Sequence, residues 1–390
     1  MYLKSISFSH KPSKGDGWSI ENCSFDSINL IAGKNASGKT RLLHSINNLV
    51  LLLSSDKAKI KDNISVNWLI KLQDMDEEIA YEFSYEDKRI TKEEFKINDD
   101  LYLTRNSEGK GSIRYTEPDQ MINFEIEINK IALTSKRDKK QHPFLEKLLI
   151  WANSVFLYNF GGLLGKNTLT KLEIKSDKLE FDMNELTEIN KDEEGVIPKF
   201  ILGMKKFGND FKDRVLADFN KIKYDVKDIN TVSYEFSELD NKFKGLPIPD
   251  MLYIVENGSS DKIFQRDISQ GMFRALSLLI QLTFLEFNLA SHSTILIDDI
   301  GEGIDFERST ELIKLLIYKA EQLKDKIQLI MTTNDRFVMN NVSLDYWIVV
   351  DKSSGNNIDF YSKSSNPKLF ETFKDIGLNN FDFFTGEYYK

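Results

Sequence analysis

Apolar and polar positions alternate from Tyr2 to Ser9, which predicts a β-strand. After a polar turn with Pro12, Gly15 and Gly17, Trp18–Cys23 and Ile28–Ile31 predict two more. The period then changes: Leu42, Leu43, Ile46 and Val50 recur at helical spacing and predict an amphipathic helix. From Val66 to Lys130 the period returns to two. Short strands are predicted at Val66–Ile70, Ile79–Tyr85, Leu101–Thr104, Ile113–Tyr115 and Phe124–Ile128, with charged or glycine turns between them, as in an antiparallel meander. Phe144–Phe156 predicts a helix, Gly161-Gly162 a break, and Asn184–Asn220 a charge-rich helical region through Ile197, Phe200, Ile201, Met204 and Phe207. Strand-like pieces occur between Tyr224 and Ile254, the clearest at Leu252–Val255. The last third is more regular. It predicts a helix over Gln270–Leu289, a strand at Thr294–Ile297, a helix over Phe306–Leu323, strands at Ile327–Met331 and Tyr346–Val350, and a helical stretch over 366–374. Such alternation implies a parallel sheet with right-handed crossovers. There is no sustained heptad pattern and no internal repeat.

The third strand runs into Gly33-Lys34-Asn35-Ala36-Ser37-Gly38-Lys39-Thr40, which fits G-x-x-x-x-G-K-[ST], the phosphate-binding P-loop. The spacing serves the chemistry. Two glycines let the backbone wrap so that successive N–H groups face one anion, and the following helix start favours negative charge. Lys39 is expected to reach the terminal phosphates of ATP, Thr40 to ligate Mg²⁺, and Arg41 to join the nucleotide-contacting set. Thr294-Ile295-Leu296-Ile297-Asp298-Asp299 reads as a buried strand ending in two acids, where ligands sit in an open α/β sheet. Asp298 is the expected metal partner of Thr40, and Asp299 the carboxylate that orients and deprotonates water. Ser269 and Gly271, in Ile268-Ser269-Gln270-Gly271-Met272-Phe273-Arg274, open an apolar helix as N-cap and close-approach glycine, a second anion site. Thr332-Thr333-Asn334-Asp335 ends a core strand in groups able to sense a γ-phosphate. Taken singly, the last two read more plainly as a well-capped helix and a strand exit. Their order behind a P-loop is what gives them weight.

Composition narrows the rest. The 390 residues carry a net charge of −9, which argues against a dedicated sequence-reading DNA protein. Cys23 is the only cysteine, so intrachain disulfides and multi-cysteine zinc sites are excluded; His10, His44, His142 and His292 lack ligand-like spacing. No signal peptide is evident and no apolar run approaches the ~20 residues of a membrane span, so a cytoplasmic, soluble protein is expected. The basic turn of Lys136, Arg137, Lys139 and Lys140 carries the charge to grip nucleic-acid phosphate, but reads more simply as a solvated loop without interleaved aromatics.

Together these stretches resemble the ABC-type ATPase heads of the SMC, RecF and OLD (overcoming lysogenization defect) superfamily. The P-loop stands at Walker A, I-S-Q-G-M-F-R at the signature, I-L-I-D-D at Walker B, Glu302-Gly303-Ile304-Asp305 at the D-loop and T-T-N-D at the switch. The resemblance implies a P-loop NTPase of α/β class, with a mainly parallel ABC ATPase core, an antiparallel β subdomain and an inserted helical subdomain. The division expected is 1–60 for the lobe with Walker A, 61–135 for the β subdomain, which would frame the adenine, 136–265 for the helical insertion, and 266–390 for the lobe with the remaining motifs. It further implies ATP held between two copies, Ser269 and Gly271 touching the γ-phosphate in trans and Asp305 crossing the interface. Three residues depart from the family pattern: Asp299 replaces a glutamate, Asn334 a histidine and Gln270 a glycine. A carboxylate shorter by one methylene positions water less well, which implies slow turnover. The Q-loop glutamine has two candidates, Gln141 and Gln73. OLD proteins continue into a nuclease domain; no acidic D-x-D cluster occurs in this tail, so a nuclease or toxin effector is expected on a separate chain. It would dock on the tail aromatics around Phe381, Phe383 and Phe384, unless these close the core. The expected function is an ATPase that dimerises around ATP·Mg²⁺ and signals to that effector, with anti-phage defence as the setting OLD-like relatives suggest. The alternatives are a non-hydrolysing ATP-gated scaffold and a RecF-like DNA-repair loader.

Overall fold

The computed structural model describes every residue except 55–59, 169–190, 234–249, 289–291, 353–355 and 375. Seventeen strands are described. In chain order they are β1 (Tyr2–Pro12), β2 (Trp18–Ser24), β3 (Ile28–Gly33), β4 (Ile64–Asp74), β5 (Glu77–Glu86), β6 (Arg89–Ile97), β7 (Asp100–Arg105), β8 (Lys110–Tyr115), β9 (Gln120–Glu125), β10 (Val155–Asn159), β11 (Val226–Ser233), β12 (Asp250–Glu256), β13 (Ile263–Phe264), β14 (Ser293–Asp298), β15 (Ile327–Thr333), β16 (Trp347–Lys352) and β17 (Asn357–Ser362). Fourteen of them form one sheet in the order β10-β14-β15-β3-β16-β17-β2-β1-β4-β5-β6-β7-β8-β9, and β11, β12 and β13 form a second.

The large sheet has two characters. From β10 through β16 the strands are parallel. Here β3, β14 and β15 are buried along their whole length, as apolar runs covered on both faces must be. One face carries Leu30, Ile295, Ile297, Leu329, Met331, Trp347 and Val349 into a core with the helices Val196–Phe207, Asn209–Lys221, Gln270–Asn288 and Phe306–Gln322. The other carries Ile31, Leu296, Ile330, Ile348 and Val350 against the helices Lys39–Ser54 and Pro143–Asn153. From β1 to β9 the sheet is antiparallel, and β4 and β5 alternate buried with half-buried positions. Their buried side covers the same two helices, and the Trp68 indole N–H donates to the Ser45 carbonyl at 2.9 Å. The meander is therefore a continuation of the nucleotide-side sheet through β1, rather than a sheet packed beside it.

Two sequence expectations are corrected. The helix predicted over Phe144–Phe156 ends at Asn153, and Val155–Asn159 turns into β10, the parallel edge strand beside β14. The apolar runs Leu148–Ala152 and Val155–Tyr158 are separated by only two polar residues, Asn153 and the Ser154 cap. β6 was not predicted, because its sequence R-I-T-K-E-E-F-K-I is dominated by charges. One of these, Glu93, is fully buried and accepts from the N–H groups of Ala132 and Leu133, both at 2.8 Å. In the tail, Phe383 and Phe384 are buried beside Tyr389 and Trp347, so they close the core rather than offer a docking face. No helix among the described residues is long and apolar enough to cross a membrane.

Candidate active site

The parallel strands place four C-terminal ends on one edge: Asn159, Gly33, Asp298 and Thr333. The loop after β3 turns at Gly33, where an added Cβ would lie 2.5 Å from Ser37 Oγ and 2.6 Å from the Val350 carbonyl. Ala36 (φ 61°) and Gly38 (φ 109°) take left-handed conformations, and the helix starts at Lys39. The chain thus wraps round a concave set of N–H groups, as the motif requires. Lys39 is 5% exposed and folds over the loop, its Nζ donating to the carbonyls of Gly33 (2.7 Å) and Lys34 (3.1 Å). Burial lowers its pKa, opposed by the charges of Asp299 and Asp298. Ser37 Oγ is buried and has no hydrogen-bond partner. An unsatisfied hydroxyl and an amine parked on carbonyls fit a site whose missing partner is an anion. Lys34, Asn35 and Arg41 lie on the exposed rim. Lys34 pairs with Glu387 at 2.7 Å, and the Arg41 guanidinium stands 5.6 Å from the Trp18 ring.

β15 lies between the P-loop strand and the strand of the two acids, and its end joins them. Asp298 is 4% exposed; its Oδ1 accepts from Thr40 Oγ1 (3.2 Å) and Thr332 Oγ1 (2.6 Å). Thr40 Oγ1 and Asp298 Oδ1 are the two oxygens where the sequence expects Mg²⁺. One hydroxyl and one carboxylate oxygen are ligand types that suit Mg²⁺, an ion that commonly takes one or two protein oxygens together with substrate phosphates. Asp299 turns away at φ 55°, its N–H donating to Thr332 Oγ1 at 2.9 Å. Burial raises its carboxyl pKa, helped by Asp298 and Glu302 and opposed by Lys39. Asn334 Nδ2 stands 3.5 Å from Asp299 Oδ1, so the switch amide is aimed at the candidate base.

The signature-like group sits elsewhere. Ser269 caps its helix weakly, accepting from Met272 N–H at 3.4 Å. Gly271 packs on the Glu302–Asp305 turn so tightly that an added Cβ would meet the Gly303 carbonyl at 2.2 Å. Asp305 caps the helix Phe306–Gln322 through the Arg308 N–H. These residues line a cavity of about 440 Å³ to which no P-loop residue contributes. Within one chain, then, Gly33–Thr40, Asp298, Asp299 and Asn334 come together, and Ser269, Gly271 and Asp305 form a second group.

Sequence reasoning passed over Thr332 as an individual residue, and also Arg274 and Asn159. Buried Arg274 donates to the carbonyls of Gly162 (2.8 Å), Glu302 (2.9 Å) and Gly161, tying the signature helix to two turns. Asn159 pairs in register with Asp298, and its N–H donates to Glu193 at 2.6 Å. Finding it required β10. Neither glutamine candidate stands near: Gln73 donates to the Met75 carbonyl, and the Gln141 carbonyl accepts from Thr116, both on the meander side. In the basic turn, Arg137 is engaged by Glu146 at 2.6 Å and Lys136 lies over Phe124; Arg137, Lys139 and Lys140 are exposed.

No curated protein matches the chain. Among solved structures, an Smc head bound to the C-winged helix domain of ScpA matches with a TM-score of 0.53 at 14% identity, covering 94% of this chain and 100% of that one. An Smc head with an extended coiled coil bound to the C-terminal domain of ScpA, from Pyrococcus furiosus, matches at 0.46 with 13% identity, covering 96% and 99%. The SMC head domain of Thermotoga maritima matches at 0.45 with 11% identity, covering 93% and 99%. The fold is that of an ABC/SMC-type ATPase head. A family profile described as "AAA domain, putative AbiEii toxin, Type IV TA system" matches residues 28–340, from the P-loop strand to the helix after the switch, and the chain belongs to that family of nucleotide-binding ATPase domains.

Proposed function

We propose that this chain is an ATPase that closes into a dimer around ATP and Mg²⁺ and passes its nucleotide state to a separate effector. The observation that carries the reading is the hydrogen-bonded junction Thr40–Asp298–Thr332, which links P-loop, acid pair and switch at one point. In this reading Lys39 leaves the Gly33 and Lys34 carbonyls for the terminal phosphates, while Ser37 Oγ and the loop N–H groups orient them. Thr40 and Asp298 would hold Mg²⁺, which would supply neutralisation of the phosphate charge. Asp299 takes the proton of the attacking water, a role its raised pKa favours, and Asn334 positions Asp299 through its amide. The separate cavity at Ser269, Gly271 and Asp305 supports a composite site, each copy supplying what the other lacks. Residues 1–60 and 266–390 would then be the nucleotide lobes, 61–135 the β subdomain and 136–265 the insertion. The effector would be a nuclease or toxin, in anti-phage defence, as the resemblance to OLD-like heads suggests.

The test is ATP binding and turnover by the wild type, Lys39→Ala and Asp299→Ala, with sedimentation of Asp299→Ala in ATP and Mg²⁺. The reading expects no binding by Lys39→Ala, and binding with lost turnover and stable dimers for Asp299→Ala. Equal slow turnover by wild type and Asp299→Ala would favour a non-hydrolysing scaffold. A monomeric Asp299→Ala would remove the dimer.

A further inference from the structure

We propose that Arg308 acts in trans, placing its guanidinium against the phosphates of the nucleotide held by a second copy of the chain. The proposal rests on the composite-site reading above and names a residue that reading does not use. Arg308 stands three residues past Asp305 and lines the same cavity as Ser269 and Gly271. Its fork is held from two sides. Nη1 donates to Asp305 Oδ2 at 2.5 Å, while Asp305 Oδ1 accepts the Arg308 backbone N–H at 3.1 Å. The guanidinium carbon lies 4.5 Å from the centre of the Tyr224 ring. An exposed ion pair alone contributes little to stability. A planar cation fixed by both a carboxylate and a ring is instead preorganised, and orientation of this kind suits an arginine that reads phosphate. Nε is buried without a partner and out of reach of an incoming group, whereas Nη2 forms no hydrogen bond among the described residues and is the donor left for a phosphate.

Lys39 and Mg²⁺ would supply positive charge from the P-loop side, which leaves the switch side as the place where a further cation would act. Phosphoryl transfer from ATP needs positive charge near the γ-phosphate. The switch offers Asn334, which carries none. The cavity itself indicates the occupant. Lys223 and Arg308 face Asp225, Glu256 and Asp305, so it is not a general anion hole. Its counterpart must bring both signs, and a nucleotide-loaded P-loop does so, with phosphates flanked by exposed Lys34 and Arg41.

The experiment mixes variants. Arg308→Ala is expected to bind a fluorescent ATP analogue within twofold of wild type, because its own P-loop is untouched, while turnover falls on the order of 10³-fold. Lys39→Ala is inactive through its P-loop. A heterodimer of the two holds one site with both lesions and one intact site, so turnover in the mixture should rise severalfold above either variant alone. A second readout is ATP-driven dimerisation of Asp299→Ala by sedimentation, which added Arg308→Ala should weaken at least tenfold and Arg308→Lys less. Arg308→Gln, whose amide can still stack on Tyr224, serves if the alanine variant is unstable. No recovery in the mixture, with severalfold recovery when Lys39→Ala is mixed with Ser269→Arg, would overturn the role of Arg308 and leave the dimer standing. Recovery in neither mixture would overturn both, as would dimerisation indifferent to Arg308 in a chain that forms no composite site.

Discussion

Thr332 holds the carboxylate of Asp298: its hydroxyl donates to Oδ1 at 2.6 Å from the neighbouring strand. The Thr332 hydroxyl oxygen in turn accepts the Asp299 N–H at 2.9 Å. One side chain therefore sets both the metal-side acid and the backbone that aims the candidate base.

Thr332→Val keeps the shape and removes both bonds. A buried carboxylate loses one of its two hydroxyl donors and a part-buried N–H its acceptor, at a cost of roughly 1.5–3 kcal/mol. Single-turnover hydrolysis should slow about 10- to 100-fold, while nucleotide affinity, set mainly by the P-loop, changes little. Equal loss of affinity would show that Thr332 serves binding instead.

Gly271→Ala tests why the signature needs its glycine. The new methyl would meet the Gly303 carbonyl at 2.2 Å, which is backbone and cannot step aside cheaply. Thermal unfolding should show a loss of about 1–3 kcal/mol, as for overpacked sites. The clash lies within one chain, so it appears in nucleotide-free protein at any concentration.

Ala36→Gly should do the opposite. Ala36 is held at φ 61°, where a Cβ costs about 1 kcal/mol or more and glycine nothing. Urea unfolding should give a higher midpoint for the variant. A lower midpoint would mean that the added freedom of the unfolded chain outweighs the relieved strain.

Lys199 gives the fold a pH dependence. It is 1% exposed, bonds to the Asp192 carbonyl (2.6 Å) and Gln281 Oε1 (2.5 Å), and burial lowers its pKa to about 7. The Asp192 and Glu193 charges oppose the shift without reversing it. The folded chain releases this proton near 7, whereas the unfolded chain keeps it up to the ordinary value of 10.5. Between those limits the unfolded state carries more protons, so raising pH stabilises the fold, by at most about 1.4 kcal/mol per unit. Stability measured from pH 7 to 9 should rise more steeply for wild type than for Lys199→Met. Parallel curves would mean that Lys199 stays charged.

Much of the site was legible because its chemistry is local. A P-loop works through adjacent N–H groups, so Gly33 to Thr40 announce it by spacing, and Asp298-Asp299 follow an apolar strand whose burial is written in its own residues. Less legible was anything set by a neighbour far along the chain. β10 merged with the preceding helix because an apolar run looks alike in both periods, and with it Asn159 was missed. β6 was hidden by charges, one of which, Glu93, is tolerated only because two N–H groups from residues 132 and 133 meet it. Gly271 reads as a ligand-approach glycine, yet its tightest contact is Gly303.

The sequence by itself determined the nucleotide loop, the acid pair and the α/β alternation, because turn geometry and burial period act over a few residues. Only the tertiary structure decided that β15 stands between Gly33 and Asp298, so that Thr332 joins them. Only it placed Ser269, Gly271 and Asp305 in a cavity apart from the P-loop. Strand order and the pairing of distant turns depend on which surfaces bury each other, and no short window of the chain carries that information.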